Sequence, residues 1–232
     1  MKCGTNELVL NSNDLTVDKA LKIVGGLSKP GKMPGFGWSI PAAECKRGSK
    51  LREIVGSACH GCYACKGRYS FANVKKALYR RLEFISNPLW IIAMSFLLKS
   101  QQYFRWFDSG DLQDVEMLNK IHAVCKQSSS CKHWLPTREF SIVKKYLKEG
   151  NKIPKNLTIR LSSDMVNEYP KHFIEGIPFS TISTDENVFA DYKNPKPYNC
   201  PVSFVKDLKT CEQAKCNKCW DKKVMHINYK KH

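Results

Sequence analysis

Residues 103–125 read YFRWFDSGDLQDVEMLNKIHAVC, and the way this stretch divides decides the fold. Residues 103–107 are aromatic and β-prone, Asp108, Ser109, Gly110 and Asp111 supply turn chemistry, and 115–125 repeats apolar residues at helical spacing. Strand, polar loop and helix in that order are the unit from which parallel sheets are built.

The unit recurs in both directions. Downstream, 133–135 form a short strand before Pro136, Thr137 and Arg138, after which 140–147 are helical and Gly150 ends the helix. Residues 157–161 (LTIRL) start another strand, followed by a Ser162-Ser163-Asp164 loop, a short helix at 169–173 and a strand at 179–182 (FSTI). Upstream, 17–23 are helical, 25–37 are a glycine- and proline-rich loop and 38–42 (WSIPA) read as a strand. Residues 71–85 follow as a helix with Val74, Leu78, Leu82 and Ile85 on one face, then a second helix at 89–98. The expected class is α/β with a parallel sheet.

Parallel α/β folds place their sites in the loops that follow strands. Those loops make Asp108, Ser109, Gly110, Asp111, Thr137, Arg138, Ser162, Ser163 and Asp164 the candidates for binding a small molecule. Arg138 suits a two-pronged bond to a carboxylate or phosphate, and Asp111 suits an amine or a ribose hydroxyl. The plainer reading is that these residues cap helices, or that Arg138 pairs with Glu139.

The chain has 232 residues and eleven cysteines, with a formal charge of +17. Residues 1–10 lack a charged segment followed by an apolar core and a small-residue cleavage site, which predicts a cytoplasmic protein. In a reducing compartment such a cysteine pattern points to metal or catalysis rather than disulfides. The longest apolar run, 88–98, is about half of the roughly 20 residues that span a bilayer, so no membrane segment is expected. The basic charge suits nucleic acid or an acidic host protein as partner, although it also serves solubility.

Eight cysteines form two groups. Cys59, Cys62 and Cys65 are separated by two residues each, with Cys45 thirteen residues upstream of Cys59. Cys200, Cys211, Cys216 and Cys219 have gaps of ten, four and two. The C-x2-C-x2-C run resembles ferredoxin-type loops, so a 4Fe-4S cluster is expected at the first group, while the second, with its ferredoxin-like Cys200-Pro201 step, fits a cluster or zinc. Zinc is the alternative at either, since four thiolates also satisfy a tetrahedral ion. Two such clusters would bring the charge to roughly +13. Cys3, Cys125 and Cys131 read as buried structural cysteines, and His60 and His133 as surface histidines. The organisation expected is a barrel-like domain over 1–195 and a cysteine-rich extension with a basic tail over 196–232.

The run Pro34-Gly35-Phe36-Gly37, then Pro41-Ala42 with Cys45, then Cys62-Tyr63-Ala64 with Lys66-Gly67-Arg68-Tyr69, resembles the bacteriophage family often called gene 88 protein. The strand and loop at 105–112 and the Cys219-Trp220 step extend the likeness along most of the chain. In that family Cys45, Cys59 and Cys62 match the pattern, whereas Cys65 is not a fixed part of it. The resemblance therefore implies a cluster with three cysteine ligands and one open iron, with Cys65 either a fourth ligand or a bystander.

A three-cysteine cluster at the start of a partial (β/α) barrel is similar in architecture to the radical SAM superfamily, which binds S-adenosylmethionine at the open iron. There, Asp108 to Asp111 hold the place of the superfamily's glycine-rich methionine-binding motif. The superfamily's C-x3-C-x2-C spacing is absent. The family resemblance, with the auxiliary clusters that follow the barrel in many radical SAM enzymes, implies a second 4Fe-4S cluster at Cys200, Cys211, Cys216 and Cys219, and the functional expectation is redox or radical SAM-like chemistry on an unknown substrate. The alternative is a zinc- or cluster-stabilised module without enzymatic activity that binds host protein or nucleic acid.

Overall fold

The computed structural model describes residues 15–231. Cys3 and the segment 1–10 lie outside them. Seven strands form one sheet in the order β1-β2-β3-β4-β5-β7-β6, and every neighbouring pair is parallel. The α/β expectation is met. The strands are β1 (Phe36–Trp38), β2 (Tyr103–Trp106), β3 (Lys132–Thr137), β4 (Leu157–Val166), β5 (Phe179–Ser183), β6 (Tyr198–Asn199) and β7 (His226–Lys230).

The helices are α1 (Val17–Ile23), α2 (Lys46–Arg52), α3 (Ala72–Phe84), α4 (Trp90–Leu98), α5 (Val115–Gln127), α6 (Phe140–Lys148) and α7 (Pro201–Phe204). Local chemistry sets their ends: Thr16 Oγ1 accepts from Lys19 N at the start of α1, and the Asp114 carboxylate accepts from Met117 N at the start of α5. Among the described residues no helix is long and apolar enough to cross a membrane.

Side chains alternate across the strands, so the sheet has two distinct faces. Trp38, Phe104, Trp106, Leu135, Ile159 and Leu161 point to one face and make a single core with α1, α4, α5 and α6, which pack side by side over it. Trp38 is its hub, set edge-on to Trp90 at 5.4 Å and donating through Nε1 to Val24 O at 3.1 Å. The opposite face carries Tyr103, Trp134 and Ile227, and it is covered by Cys219 and Trp220 of the C-terminal segment. Trp220 Nε1 donates to Phe104 O at 2.8 Å, and Thr158 Oγ1 donates to Trp220 O at 2.9 Å.

Several expectations need correction. The strand expected at 38–42 is β1 at Phe36–Trp38: beyond Trp38 the backbone turns to the 108–110 loop, with Ile40 N donating to Ser109 O, and Pro41 has no N–H to extend a ladder. Residues 169–173 are not helical. Pro170 biases Tyr169 away from the helical region, and Tyr169 stacks on Tyr192 at 3.8 Å instead.

Ser162, Ser163 and Asp164 are not a loop but part of β4, which runs on to Val166 with a shift of register against β5. The basic tail expected from 221 contains β7, inserted between β5 and β6 with His226, Ile227 and Asn228 buried. His133 is fully buried rather than at the surface. It lies parallel to the Trp106 ring, with Nε2 3.0 Å from Ser128 Oγ.

Candidate metal centres

The first cysteine group lies on the loop between β1 and α3, and side chains at the C-terminal ends of β2, β3 and β4 hold that loop down. Tyr63 donates to Asp108 O at 2.5 Å and Tyr69 to Asp108 Oδ2 at 2.8 Å, while Ser39 donates to Asp108 Oδ1. Arg47 makes a two-pronged ion pair with Asp164, and Ala58 N donates to Asp164 O at 2.7 Å. Arg47 N also donates to the buried Glu139 carboxylate at 2.7 Å, so Glu139 is not the partner of Arg138.

Cys45 precedes α2, whose Gly48 leaves room for sulfur. A Cβ on Gly48 would sit 3.6 Å from both Cys45 Sγ and Cys59 Sγ and only 3.0 Å from Cys45 Cβ. Burial pushes the Cys45 and Cys59 thiols up, and neighbouring cysteines add to it: Cys59 and Cys62 act on Cys45, and Cys62 on Cys59. Arg138 opposes the rise at Cys59. Cys65 is exposed, and its Sγ accepts from Arg52 Nη1 at 3.3 Å; burial raises its pKa, with Cys62 the cysteine that acts on it. Cys62 therefore stands beside Cys45, Cys59 and Cys65 alike, and its thiol hydrogen-bonds to that of Cys65, the exposed member of the group.

The sequence-derived candidates converge here, but most of their polar groups are engaged internally. Asp111 is buried and accepts from Thr137 Oγ1 at 2.5 Å, Leu112 N at 2.8 Å and Arg138 N at 2.9 Å. Burial raises its pKa to about 6 against the opposing pull of those bonds. Ser109 Oγ donates to Ile40 O at 3.1 Å.

Gly110, at φ +78°, has Ile40 Cγ1 2.3 Å from where a Cβ would stand. The 108–111 turn is therefore a brace between strand ends. Arg138 Nε donates to Ser163 O at 3.0 Å. Arg138 and Ser162, with Arg47, Asp164, Lys171 and His172, line a small basic cleft beside the cysteine loop.

The second group sits on the sheet face opposite the helices. Cys200 follows β6 and its N donates to Asn228 O at 2.9 Å, while Cys211 N donates to Lys32 O at 2.8 Å and Cys216 N to Cys211 O at 2.9 Å. Cys219 is buried, 3.1 Å from Tyr229 Oη, and Cys216 Sγ is 3.4 Å from Tyr198 Oη. Burial raises Cys211 to about 11 and Cys219 to about 12, with further contributions from the other cysteines of the group. All four thiols therefore share one electrostatic neighbourhood.

Two arginines that sequence reasoning missed lie beneath this group. Arg160 is fully buried on β4, and its terminal nitrogens reach only carbonyls: Val224 O at 2.8 Å, Phe179 O at 3.2 Å, Asp221 O at 3.3 Å and Lys218 O at 3.5 Å. Its Nε has no partner. Arg105 lies over the Trp134 ring, 4.7 Å from its centroid, and donates to Met33 Sδ and Phe107 O.

Burial raises the pKa of Tyr63, in the first loop, and of Cys211, in the second, and Arg105 opposes the rise at both. Their signal in the sequence is a cation at an inward position of an otherwise apolar strand, in LTIRL and YFRWF.

Among the described residues no group of three or more His, Cys, Asp or Glu side chains is arranged to hold a single metal ion. A tetrahedral zinc with Zn–S near 2.3 Å needs sulfurs about 3.8 Å apart, whereas a cluster takes one thiolate per iron and tolerates a wider set. Three features fit an anionic metal–thiolate centre: the sulfur-only donor sets, the Gly48 opening beside two sulfurs, and the buried Arg160 without a carboxylate.

A family model described as Gene product 88 matches residues 8–222. No curated protein and no solved structure matches the chain.

Proposed function

The chain belongs to the bacteriophage gene 88 family, and on that premise we propose that it is an iron–sulfur protein with a 4Fe-4S cluster at each cysteine group. The observation that carries this reading is that each group is backed by arginines lacking a carboxylate partner. Arg52 and Arg138 stand at the first and Arg105 and Arg160 at the second, while the ion pairs among the described residues are Arg47–Asp164 and Lys120–Glu116. A buried cation is costly until an anion faces it, and thiolates bound to iron supply that anion.

When bound, a 4Fe-4S cluster supplies one-electron chemistry. The residues do the rest. Cys45, Cys59 and Cys62 would hold the first cluster by three thiolates, with Cys65 outside the set. Cys200, Cys211, Cys216 and Cys219 would close the second. Arg105 stands between the two groups through a chain of contacts: Cys211 N to Lys32 O, Met33 Sδ to Arg105, Arg105 to Phe107 O, and Asp108 O to Tyr63 beside Cys62. That proximity favours electron exchange between the centres.

The consecutive, parallel order of β1 to β5 with helices on one face supports an opened (β/α) barrel, and the cysteine loop after β1 sits at the strand ends where such barrels work. This favours S-adenosylmethionine as the small molecule at the first cluster, bound at the open iron rather than by the braced 108–111 turn. The test is electron paramagnetic resonance of the reduced protein with and without S-adenosylmethionine. A spectrum shifted by the nucleotide is expected; an iron signal that ignores it would exclude the open-iron reading and leave electron transfer.

A further inference from the structure

A cavity of about 350 Å3 lies between α3 and the C-terminal ends of β1 and β2, apart from the basic cleft. Its polar lining is Ser28, Ser39, Tyr69, Asn73, Asp108 and Arg81, and its apolar wall is Val74, Ala77 and Leu78 of α3. The volume is in the range of small-molecule sites, and the lining has their usual character of an apolar wall with a few polar groups.

Arg81 makes this cavity chemically specific. It is 7 % exposed, one of the few charged side chains in the interior. Its Nε donates to Gly26 O at 3.0 Å, which fixes the plane of the guanidinium and leaves the two terminal nitrogens without a hydrogen-bond partner among the described residues. Asp108 lines the same cavity and attracts Arg81 through space but forms no ion pair with it; its Oδ1 accepts from Ser39 and its Oδ2 from Tyr69. Arg81 is thus a buried cation presenting the end of its fork to an open space, and that end matches the two oxygens of a carboxylate.

We propose that the cavity between α3 and the ends of β1 and β2 binds a small organic carboxylate, held end-on by Arg81 with its apolar body against Val74, Ala77 and Leu78. The hydroxyls of Ser39 and Tyr69 serve a polar substituent, and Asn73 stands at the exposed mouth. Tyr69 and Asp108 also anchor the first cysteine loop, so an occupant lies against the element that carries Cys59 and Cys62. The proposal goes beyond the iron–sulfur reading and does not need it, since every group invoked is protein.

The test is titration of the full chain with sodium hexanoate and sodium benzoate by saturation-transfer NMR, with hexanamide in parallel and inorganic phosphate added as a competitor of the hexanoate signal. Saturable binding of the carboxylates, at least tenfold tighter than the amide and the phosphate, is expected. Arg81→Met should abolish it. Because Arg81 also ties down Gly26, Ala77→Phe serves as a second variant that fills the cavity and keeps the guanidinium, and it should weaken binding at least tenfold. Equal binding of hexanamide, binding of phosphate in preference, or carboxylate binding that survives Ala77→Phe would each overturn the proposal.

Discussion

Arg160 Nη1 donates to Val224 O at 2.8 Å, joining the middle of β4 to the segment that leads from the last cysteine into β7. Two further acceptors of this guanidinium, Lys218 O and Asp221 O, flank Cys219, so one buried cation pins the cysteine loop while forming no ion pair. Removing it strands several buried carbonyls, each worth about 1–3 kcal/mol. Arg160→Met is therefore expected to lose metal at the second site while the first stays loaded, with iron falling to about half of wild type if each site holds one cluster. Iron content together with the melting temperature checks this. Full iron in the variant would contradict it.

At the first site the cysteines divide. Cys59→Ala or Cys62→Ala should empty it, whereas Cys65→Ala should keep wild-type iron, because Cys65 is the exposed member of the group and its sulfur already accepts from Arg52. Iron and sulfide assays on the three variants decide it. Loss of iron in Cys65→Ala equal to that in Cys59→Ala would restore the four-cysteine version.

Gly110 is the tightest point of the brace between strand ends. An alanine there combines a φ of +78° with a Cβ 2.3 Å from Ile40 Cγ1 and 2.7 Å from Ile40 O. Gly110→Ala is expected to cost more than about 2 kcal/mol, since strain in the left-handed region and backbone overlap add together. Urea unfolding measures it. A midpoint unchanged from wild type would mean that the turn relaxes freely.

The buried histidines give the acid dependence a sign. Burial lowers His133 and His226 to about 4 from the ordinary 6.5, so the unfolded chain takes up protons first as pH falls. Their contribution is complete above pH 6.5 and is lost as pH falls towards 4, about 3 kcal/mol for His133 at roughly 1.4 kcal/mol per pH unit. Asp111, raised to about 6, acts oppositely: its contribution is complete below 3.8 and lost as pH rises through 6. Two histidines outweigh one carboxylate, so the melting temperature should fall between pH 7 and pH 5. His133→Phe should shrink that fall, and an identical fall in the variant would remove His133 from the account.

Much of the fold was legible because its signals are local. Helices α1 and α5 and the apolar strands from 103 to 183 follow from periodicity within a few residues, and the Thr16 and Asp114 caps found in the structure are equally local. The strand at 226–230 was not legible: HINYK is short and flanked by lysines, and it is held by β5 and β6, which are distant in sequence. Ser162 to Asp164 read as a loop by composition, yet they stay extended because the cysteine loop pairs beside them, through the Ser57–Met165 bridge and the bond from Ala58 N to Asp164 O.

The same limit applies to the sites. The cysteines and the strand-end residues could be named from spacing, whereas the internal use of Asp108 and Asp111 could not, since their partners Tyr63, Tyr69 and Thr137 arrive through the fold. Arg105 and Arg160 are cations among apolar neighbours and Arg81 follows Arg80 on α3, but which space each faces depends on tertiary packing.

The most direct measurement is the iron, acid-labile sulfide and zinc content of protein purified without oxygen. About eight irons and eight sulfides per chain, with no zinc, are expected for two 4Fe-4S clusters. Zinc bound tightly at either cysteine group, with no sulfide, would contradict the iron–sulfur account at that group.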